Sequence, residues 1–203
     1  MELDLAGVAT ADDARRTHLQ RARDGLGRME RLVAQLLTLA RVESLDRLAD
    51  QGRVDVAALA QQVVAEAGER AAPRGIALSL QAAGPLHVRA GAGLLEIALR
   101  NLVDNAIVHG KPRGNVEVMV GPQVGGVEIA VEDDGPGFPE DQVARAGERF
   151  ARGEQSRGTG LGLSIVRAIA ALHGGSVTVS RSAAGGARVA LRLPTASVPD
   201  NAT

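Results

Sequence analysis

A chain of 203 residues with 45% hydrophobic composition suits one domain of ordinary size plus an appendage. With two Phe, no Trp and no Tyr, the core must rest on Leu, Val, Ile and Ala, and the lack of Cys excludes disulfides and thiolate metal sites. A formal charge of -1 argues against generic nucleic-acid binding; no apolar run reaches the roughly 18 residues of a membrane span and no charged-then-apolar leader opens the chain, so it reads as soluble and intracellular.

Residues 1–13 are mixed and end in a turn-like Ala11-Asp12-Asp13 patch. From Ala14 to Ser44 the pattern is helical. Leu19, Ala22, Leu26, Met29, Val33, Leu36 and Ala40 step by threes and fours, the seam of a coiled coil or bundle, and Leu32 and Leu37 widen it. Gly25 and Gly27 each cost about 1 kcal/mol relative to Ala in a helix interior, so packing must hold this segment. A helix lying on its own domain and half of a dimerising helical hairpin both fit; the length of the seam favours the hairpin.

Residues 47–53 read as a polar linker. Val54–Ala72 reads as a short strand leading into a helix that Pro73 stops, followed by strands at Ile76–Leu80 and Leu86–Val88. Leu94–Val108 reads as a helix with Leu95, Ala98, Leu99, Leu102, Val103 and Ala106 on one face. Val116–Val120 and Val127–Val131 alternate as a hairpin, and Gly160–His173 reads as a helix ended by Gly174-Gly175. Val177–Ser180 and Ala187–Leu193 close the pattern as a last hairpin.

Three motifs carry chemistry. In Asn101-Leu102-Val103-Asp104-Asn105-Ala106 the two Asn are four apart and share a helix face. Their neutral amide oxygens suit a Mg2+ that keeps waters and takes its charge balance from ATP phosphates. Asn can also bond locally within a helix, yet among apolar neighbours it is costly without a partner. In Asp133-Asp134-Gly135-Pro136-Gly137-Phe138 a carboxylate stands at the base of a turn, where it can accept a hydrogen bond from the adenine amino group. Gly135 and Gly137 allow a ligand close to the backbone; alone, the run would read as a Gly-Pro turn with a solvated Asp pair. In Arg157-Gly158-Thr159-Gly160-Leu161-Gly162-Leu163-Ser164 three glycines leave amides unobstructed, and the following helix offers N–H groups and a dipole to anions. No Lys follows the glycines, so this is not a Walker loop, and no strand with Rossmann spacing precedes it. Arg152 and Arg157 flank the loop as phosphate contacts or as solvated side chains. Order and spacing make the three one nucleotide site.

These runs resemble the N, G1 and G2 boxes of the ATP-binding fold shared by sensor histidine kinases, DNA gyrase, Hsp90 and MutL. Glu148-Arg149-Phe150-Ala151-Arg152 resembles the F box of the histidine kinase branch, as do Leu161-Gly162-Leu163-Ser164-Ile165-Val166 and His173-Gly174-Gly175. Upstream, the run from Arg31 to Arg41 is similar to the second helix of the kinase dimerisation and phosphotransfer hairpin. The resemblance implies an α+β fold: a two-layer α/β sandwich with a mixed sheet (Bergerat-type), helices on one face and nucleotide on the helical side, preceded by a helical hairpin remnant. It implies a partial hairpin over residues 1–46, a linker over 47–53, an ATP-binding domain over 54–195 and a disordered tail over 196–203. It implies that Asn105, with Asn101 assisting, ligates Mg2+ and that Asp133 reads adenine. ATP would also be held by His109, Lys111, Gly135, Gly137, Arg152, Arg157, Gly158, Thr159, Gly160, Leu161 and Gly162, with residues 143–160 as a lid. It implies a homodimer through the N-terminal helices, a response regulator receiver domain as partner, and a cytoplasmic position within a membrane-bound protein.

The chain also departs from the family pattern. Val108 and His109 stand where a basic residue and Tyr are common, so a phosphate contact is either missing or supplied by Lys111, Arg152 or Arg157. His109 then reads as a flat partner for the nucleotide or as a surface His. No phosphoacceptor box is present. His18, in Arg16-Thr17-His18-Leu19, reads as a solvated helix residue, and the chain reads as starting partway along the first hairpin helix. Asn101 occupies the place where related hydrolytic ATPases carry a Glu base, which favours phosphotransfer to a His over hydrolysis. The expected activity is Mg-ATP binding without self-phosphorylation. The alternative is an acceptor-less module that dimerises with or sequesters a partner kinase or response regulator.

Overall fold

The computed structural model describes residues 2–45, 51–138 and 160–195. The chain divides into two compact units, Met1–Thr38 and Leu39–Thr203.

The described residues of the first unit lie within one helix, α1 (Glu2–Glu43). The turn-like patch expected at Ala11-Asp12-Asp13 is helical, a correction with a simple cause. Two Asp cost only a few tenths of a kcal/mol each, and Ala and Arg around them favour helix. Of the expected hairpin, the described residues contain this single unbroken helix. Its seam residues Leu26, Met29, Val33 and Leu37 are 53–67% exposed in the single chain.

The second unit takes the last turn of α1, where Leu39 and Val42 are buried. It continues with β1 (Gly52–Asp55), α2 (Val56–Ala71), a 3-10 turn (Ala72–Arg74), β2 (Ala77–Ala82), β3 (His87–Ala90) and α3 (Ala92–His109). Then come β4 (Asn115–Gln123), β5 (Gly126–Asp133), α4 (Gly162–Leu172), β6 (Ser176–Arg181) and β7 (Ala187–Pro194). Strand β1 begins inside the expected linker and pairs antiparallel with β3, Gly52 opposite Ala90. Asp55 ends β1 and caps α2, its Oδ1 accepting the N–H groups of Ala57 and Ala58 at 3.0 and 3.3 Å.

The main sheet has the order β2-β4-β5-β7-β6, with β2 parallel to β4 and every other pair antiparallel. It is the mixed sheet that the resemblance implied. Period-two alternation builds its apolar face. Val118 pairs with Val131 and Val120 with Ile129, and Ile129 continues to Leu191 on the other side. Helices α2, α3 and α4 pack on the sheet and bury Val63, Leu99 and Ile165 almost completely, which gives two layers. On the opposite face Arg188 pairs with Glu128 (2.6 Å) and Glu132 (2.9 Å), and Arg192 with Glu128 (2.7 Å). Among the described residues no helix is long and apolar enough to cross a membrane.

Candidate functional site

Helix α3 turns Leu95, Ala98, Leu99, Leu102, Val103 and Ala106 into the core, which leaves Asn101 and Asn105 half-buried one turn apart. Helix α4 starts against them. A Cβ on Gly162 would stand 3.1 Å from Asn101 Oδ1 and 3.3 Å from Asn105 Oδ1, closer than a side chain accepts without displacing a neighbour. Both amide oxygens therefore face the first turn of α4, where a helix has N–H groups without intrahelical acceptors. Asn101 Nδ2 donates to the Ile97 carbonyl at 2.8 Å, which orients that amide. Asn105 makes no side-chain hydrogen bond among the described residues. Leu161 is fully buried beneath this turn, and Gly160 enters it at φ +73°. Two neutral hard oxygens beside a helix N-terminus fit a Mg2+ that shares its remaining ligands with phosphate and water.

Just past the C-terminal end of α3 lies Asp133, whose Cβ would stand 3.8 Å from a Cβ placed on Gly110. This carboxylate is buried and held by backbone: Oδ1 accepts the N–H groups of Gly135 at 2.8 Å and Ala187 at 3.2 Å. Its carbonyl accepts the Ser182 hydroxyl at 2.7 Å, and that hydroxyl accepts Gly186 N–H at 2.9 Å. Among the described residues no hydrogen bond ends on Oδ2. Glycines make the approach possible. A Cβ on Gly135 would stand 2.7 Å from the His109 carbonyl, and one on Gly186 would overlap the Asp133 carbonyl. Gly137 adopts φ +72° against Gly186, where a Cβ would come within 3.0 Å of that residue's carbonyl. Asp134 turns away: Asn115 Nδ2 donates to its Oδ2 at 3.4 Å, and its Oδ1 is buried without a protein partner among the described residues.

His109 ends α3 with its side chain reaching solvent on one side. The surrounding chain still desolvates the ring and lowers its pKa below the ordinary imidazole value; the nearby Asp133 charge opposes this and Arg74 reinforces it. Arg74 donates to the Ile107 carbonyl and, at 3.1 Å, to the Gly110 carbonyl, which satisfies the last turn of α3.

The structure thus brings Asn101, Asn105 and Gly162 together, with Gly160 and Leu161 leading into that turn, and separately sets Asp133, Gly135 and the His109 carbonyl side by side, with Gly137 against Gly186. Lys111 stands exposed on the loop after α3. Arg152, Arg157, Gly158 and Thr159, with the expected lid up to residue 159, lie outside the described residues. Ser182, Gly186, Ala187 and Arg74 escaped the sequence reading. The Gly185-Gly186 pair at the mouth of a strand is the one local sign of a close backbone approach.

Residues 91–197 match the family model for histidine kinase-, DNA gyrase B- and HSP90-like ATPases. The chain is 39% identical over 190 residues to the sensor protein QseC of Escherichia coli K12, covering 92% of this chain and 41% of that one. It is 35% identical over 208 residues to a probable sensor histidine kinase of Mycobacterium tuberculosis, covering 95% of this chain and 54% of that one. It therefore spans about two fifths to a half of the length of these curated relatives. Among solved structures, full-length ShkA in complex with AMPPNP aligns with a TM-score of 0.75 at 30% identity, over 88% of this chain and 38% of that one. The cytoplasmic segment of histidine kinase QseC aligns with a TM-score of 0.60 at 29% identity, over 83% of this chain and 94% of that one.

Proposed function

The chain belongs to the histidine kinase-, DNA gyrase B- and HSP90-like ATPase family, as an ATP-binding catalytic domain of its sensor histidine kinase branch, and on that premise we propose that it binds Mg-ATP for transfer of the γ-phosphoryl to a His. Asp133 Oδ2 accepts the adenine amino group while Gly135 and Gly137 let the base approach. His109 lies flat against the nucleotide. Asn105, assisted by Asn101, holds Mg2+, which when bound neutralises phosphate charge. The amides of Gly160, Leu161 and Gly162 face the phosphates, together with Gly158 and Thr159, and Arg152, Arg157 and Lys111 supply positive charge. The observation that carries this reading is the meeting of Gly162 with both asparagine oxygens, because it joins two motifs some sixty residues apart in sequence.

The protein's part in the chemistry is positioning and electrostatics. The bond from the γ-phosphorus to the β–γ bridging oxygen breaks, a bond to an imidazole nitrogen forms, and ADP leaves. Asn101 cannot abstract a proton from water, so transfer is favoured over hydrolysis. The acceptor is a His on a dimerisation hairpin to which α1 contributes, and from it the phosphoryl passes to a response regulator receiver domain. The α1 seam pairs two copies, and the whole protein is membrane-bound with this part on the cytoplasmic side. Residues 1–46, 47–53, 54–195 and 196–203 serve as hairpin part, linker, ATP-binding domain and tail.

None of the four histidines (His18, His87, His109 and His173) stands in an acceptor box with a following acidic residue and Thr-Pro. That observation favours a second reading, an acceptor-less module that pairs with or sequesters a partner kinase or response regulator. Incubation with γ-labelled ATP and a separately supplied hairpin carrying an acceptor His tests both. Label on the added hairpin supports the kinase, and ATP binding without transfer supports the module. Label on a His of this chain would overturn the expectation that it cannot phosphorylate itself.

A further inference from the structure

His173 is buried at the end of α4, and both of its ring nitrogens are engaged. Nδ1 lies 2.7 Å from the Ile169 carbonyl, one turn back in the same helix, and so carries the proton. Nε2 is then an acceptor, and it takes the backbone N–H of Gly91 at 3.1 Å. Gly91 is the N-cap of α3, and its own carbonyl accepts the first intrahelical bonds, from Leu94 and Leu95. The imidazole is a strut from the C-terminal end of α4 to the N-cap of α3.

The strut is rigid at its base. Gly175 N–H donates to the Ala170 carbonyl and Gly174 N–H to the Ala171 carbonyl, with Gly174 at φ +66°, a Schellman closure. A Cβ on Gly175 would overlap the Arg192 carbonyl of β7, so the turn is also pressed against the sheet. The two helices run antiparallel, and the spans match. Gly162 to His173 is eleven residues, and Gly91 to the Asn101–Asn105 pair is ten to fourteen, both roughly 15–21 Å of helix. Apolar packing is non-directional and permits small slides between helices. A hydrogen bond at one end removes that freedom at the other.

We propose that His173 is a positioning residue: by tying α4 to Gly91 it sets the register of α4 on α3, and with it the placement of the first turn of α4 over Asn101 and Asn105. The inference rests on the reading of that turn as the phosphate end of the nucleotide site. The adenine end is held by hydrogen bonds to Asp133 from Gly135, Ser182 and Ala187, none of them in α4, and this separates positioning from general stability.

Calorimetric titration of the full 203-residue chain with Mg-ATP and, separately, with adenosine provides the test. His173→Ala should weaken Mg-ATP by about tenfold, the loss expected of one buried hydrogen bond, and leave adenosine within about twofold. His173→Gln, whose Oε1 can accept the Gly91 N–H, should recover most of the loss. Should His173→Ala prove too unstable, His173→Leu fills the space without an acceptor and is read in the same way. Equal weakening of both ligands, or unchanged Mg-ATP affinity in a folded variant, overturns the assignment. A wild-type chain that fails to bind Mg-ATP at all overturns the nucleotide reading beneath it.

Discussion

The two parts of the candidate site, at Asp133 and at the asparagine pair, are built by different means. At Asp133 the carboxylate is held by two main-chain N–H groups on one oxygen, with a Ser182 hydroxyl on the residue's carbonyl and glycines where any Cβ would collide. No hydrogen bond among the described residues ends on its Oδ2. At Asn101 and Asn105 the groups are side chains on one helix facing the first turn of another, and their geometry depends on how two helices pack. The first end suits selection of a base, the second the arrangement of charge around transferring phosphates. Main-chain geometry should survive most substitutions nearby, whereas helix-packing geometry should respond to a single methyl group.

The largest effect is expected from reversing the hydrogen-bonding sense of the held carboxylate. Asp133→Asn can keep Oδ1 on the Gly135 and Ala187 N–H groups, so the fold should persist. The amide then presents Nδ2, a donor, where Oδ2 stood. Loss of a charge-assisted hydrogen bond, with two donors left facing each other, should raise the ATP Kd by about 30- to 100-fold. Adenosine should weaken in the same proportion, because the defect lies at the base. Titration with both ligands checks this; retained adenosine affinity would remove Asp133 from the base-reading role.

Gly162→Ala probes the other end with a smaller perturbation. Its methyl group would press on both asparagine oxygens at 3.1 and 3.3 Å and displace them by a few tenths of an ångström. Mg-ATP should weaken roughly tenfold while adenosine is unaffected. Stability should move the other way or stay level, since Ala is up to about 1 kcal/mol better than Gly in a helix. A variant that loses Mg-ATP and gains melting temperature would show that the glycine serves the site and not the fold. Equal loss of both ligands would undo the distinction between the two ends.

The contrast also explains what the sequence made legible. The hairpin of β4 and β5 could be read because Val116, Val118 and Val120, and Val127, Ile129 and Val131, alternate over more than one pair. The asparagine pair could be read because i, i+4 spacing is a local property of a helix. The support beneath Asp133 could not: Ser182 and Ala187 lie 49 and 54 residues further on, and no local period encodes a contact across two strands. The same limit hid the His173–Gly91 bond, 82 residues apart in sequence. Strand β1 was expected from Val54 but starts two residues earlier, at Gly52, for a different reason. Val54 is its one apolar residue, so Gly52–Asp55 shows no alternation and becomes a strand through pairing with β3.

The smallest expected effect concerns His109, which backs the base end through its main chain while its ring reaches solvent. Desolvation lowers its pKa in the folded protein; the Asp133 charge opposes that shift and Arg74 adds to it. A lowered value means that the unfolded chain takes up a proton at higher pH than the folded one. Above the unfolded value, near 6.5, both states are neutral at this position and stability is unaffected. As pH falls through 6.5 and then through the lower folded value, the unfolded state gains relative stability, and the loss levels off once both states are protonated. His109→Gln should remove this component and shrink the fall in melting temperature between pH 7.5 and 5.5 by no more than about 1–2 °C, because the ring is partly solvated. Melting curves of both chains across that interval measure it, and a steeper fall in the variant would contradict the assigned sign. Since the Gly135–His109 contact is made by the carbonyl, Gln should preserve it, and ATP affinity at pH 7.5 then isolates whatever the flat imidazole contributes to the base.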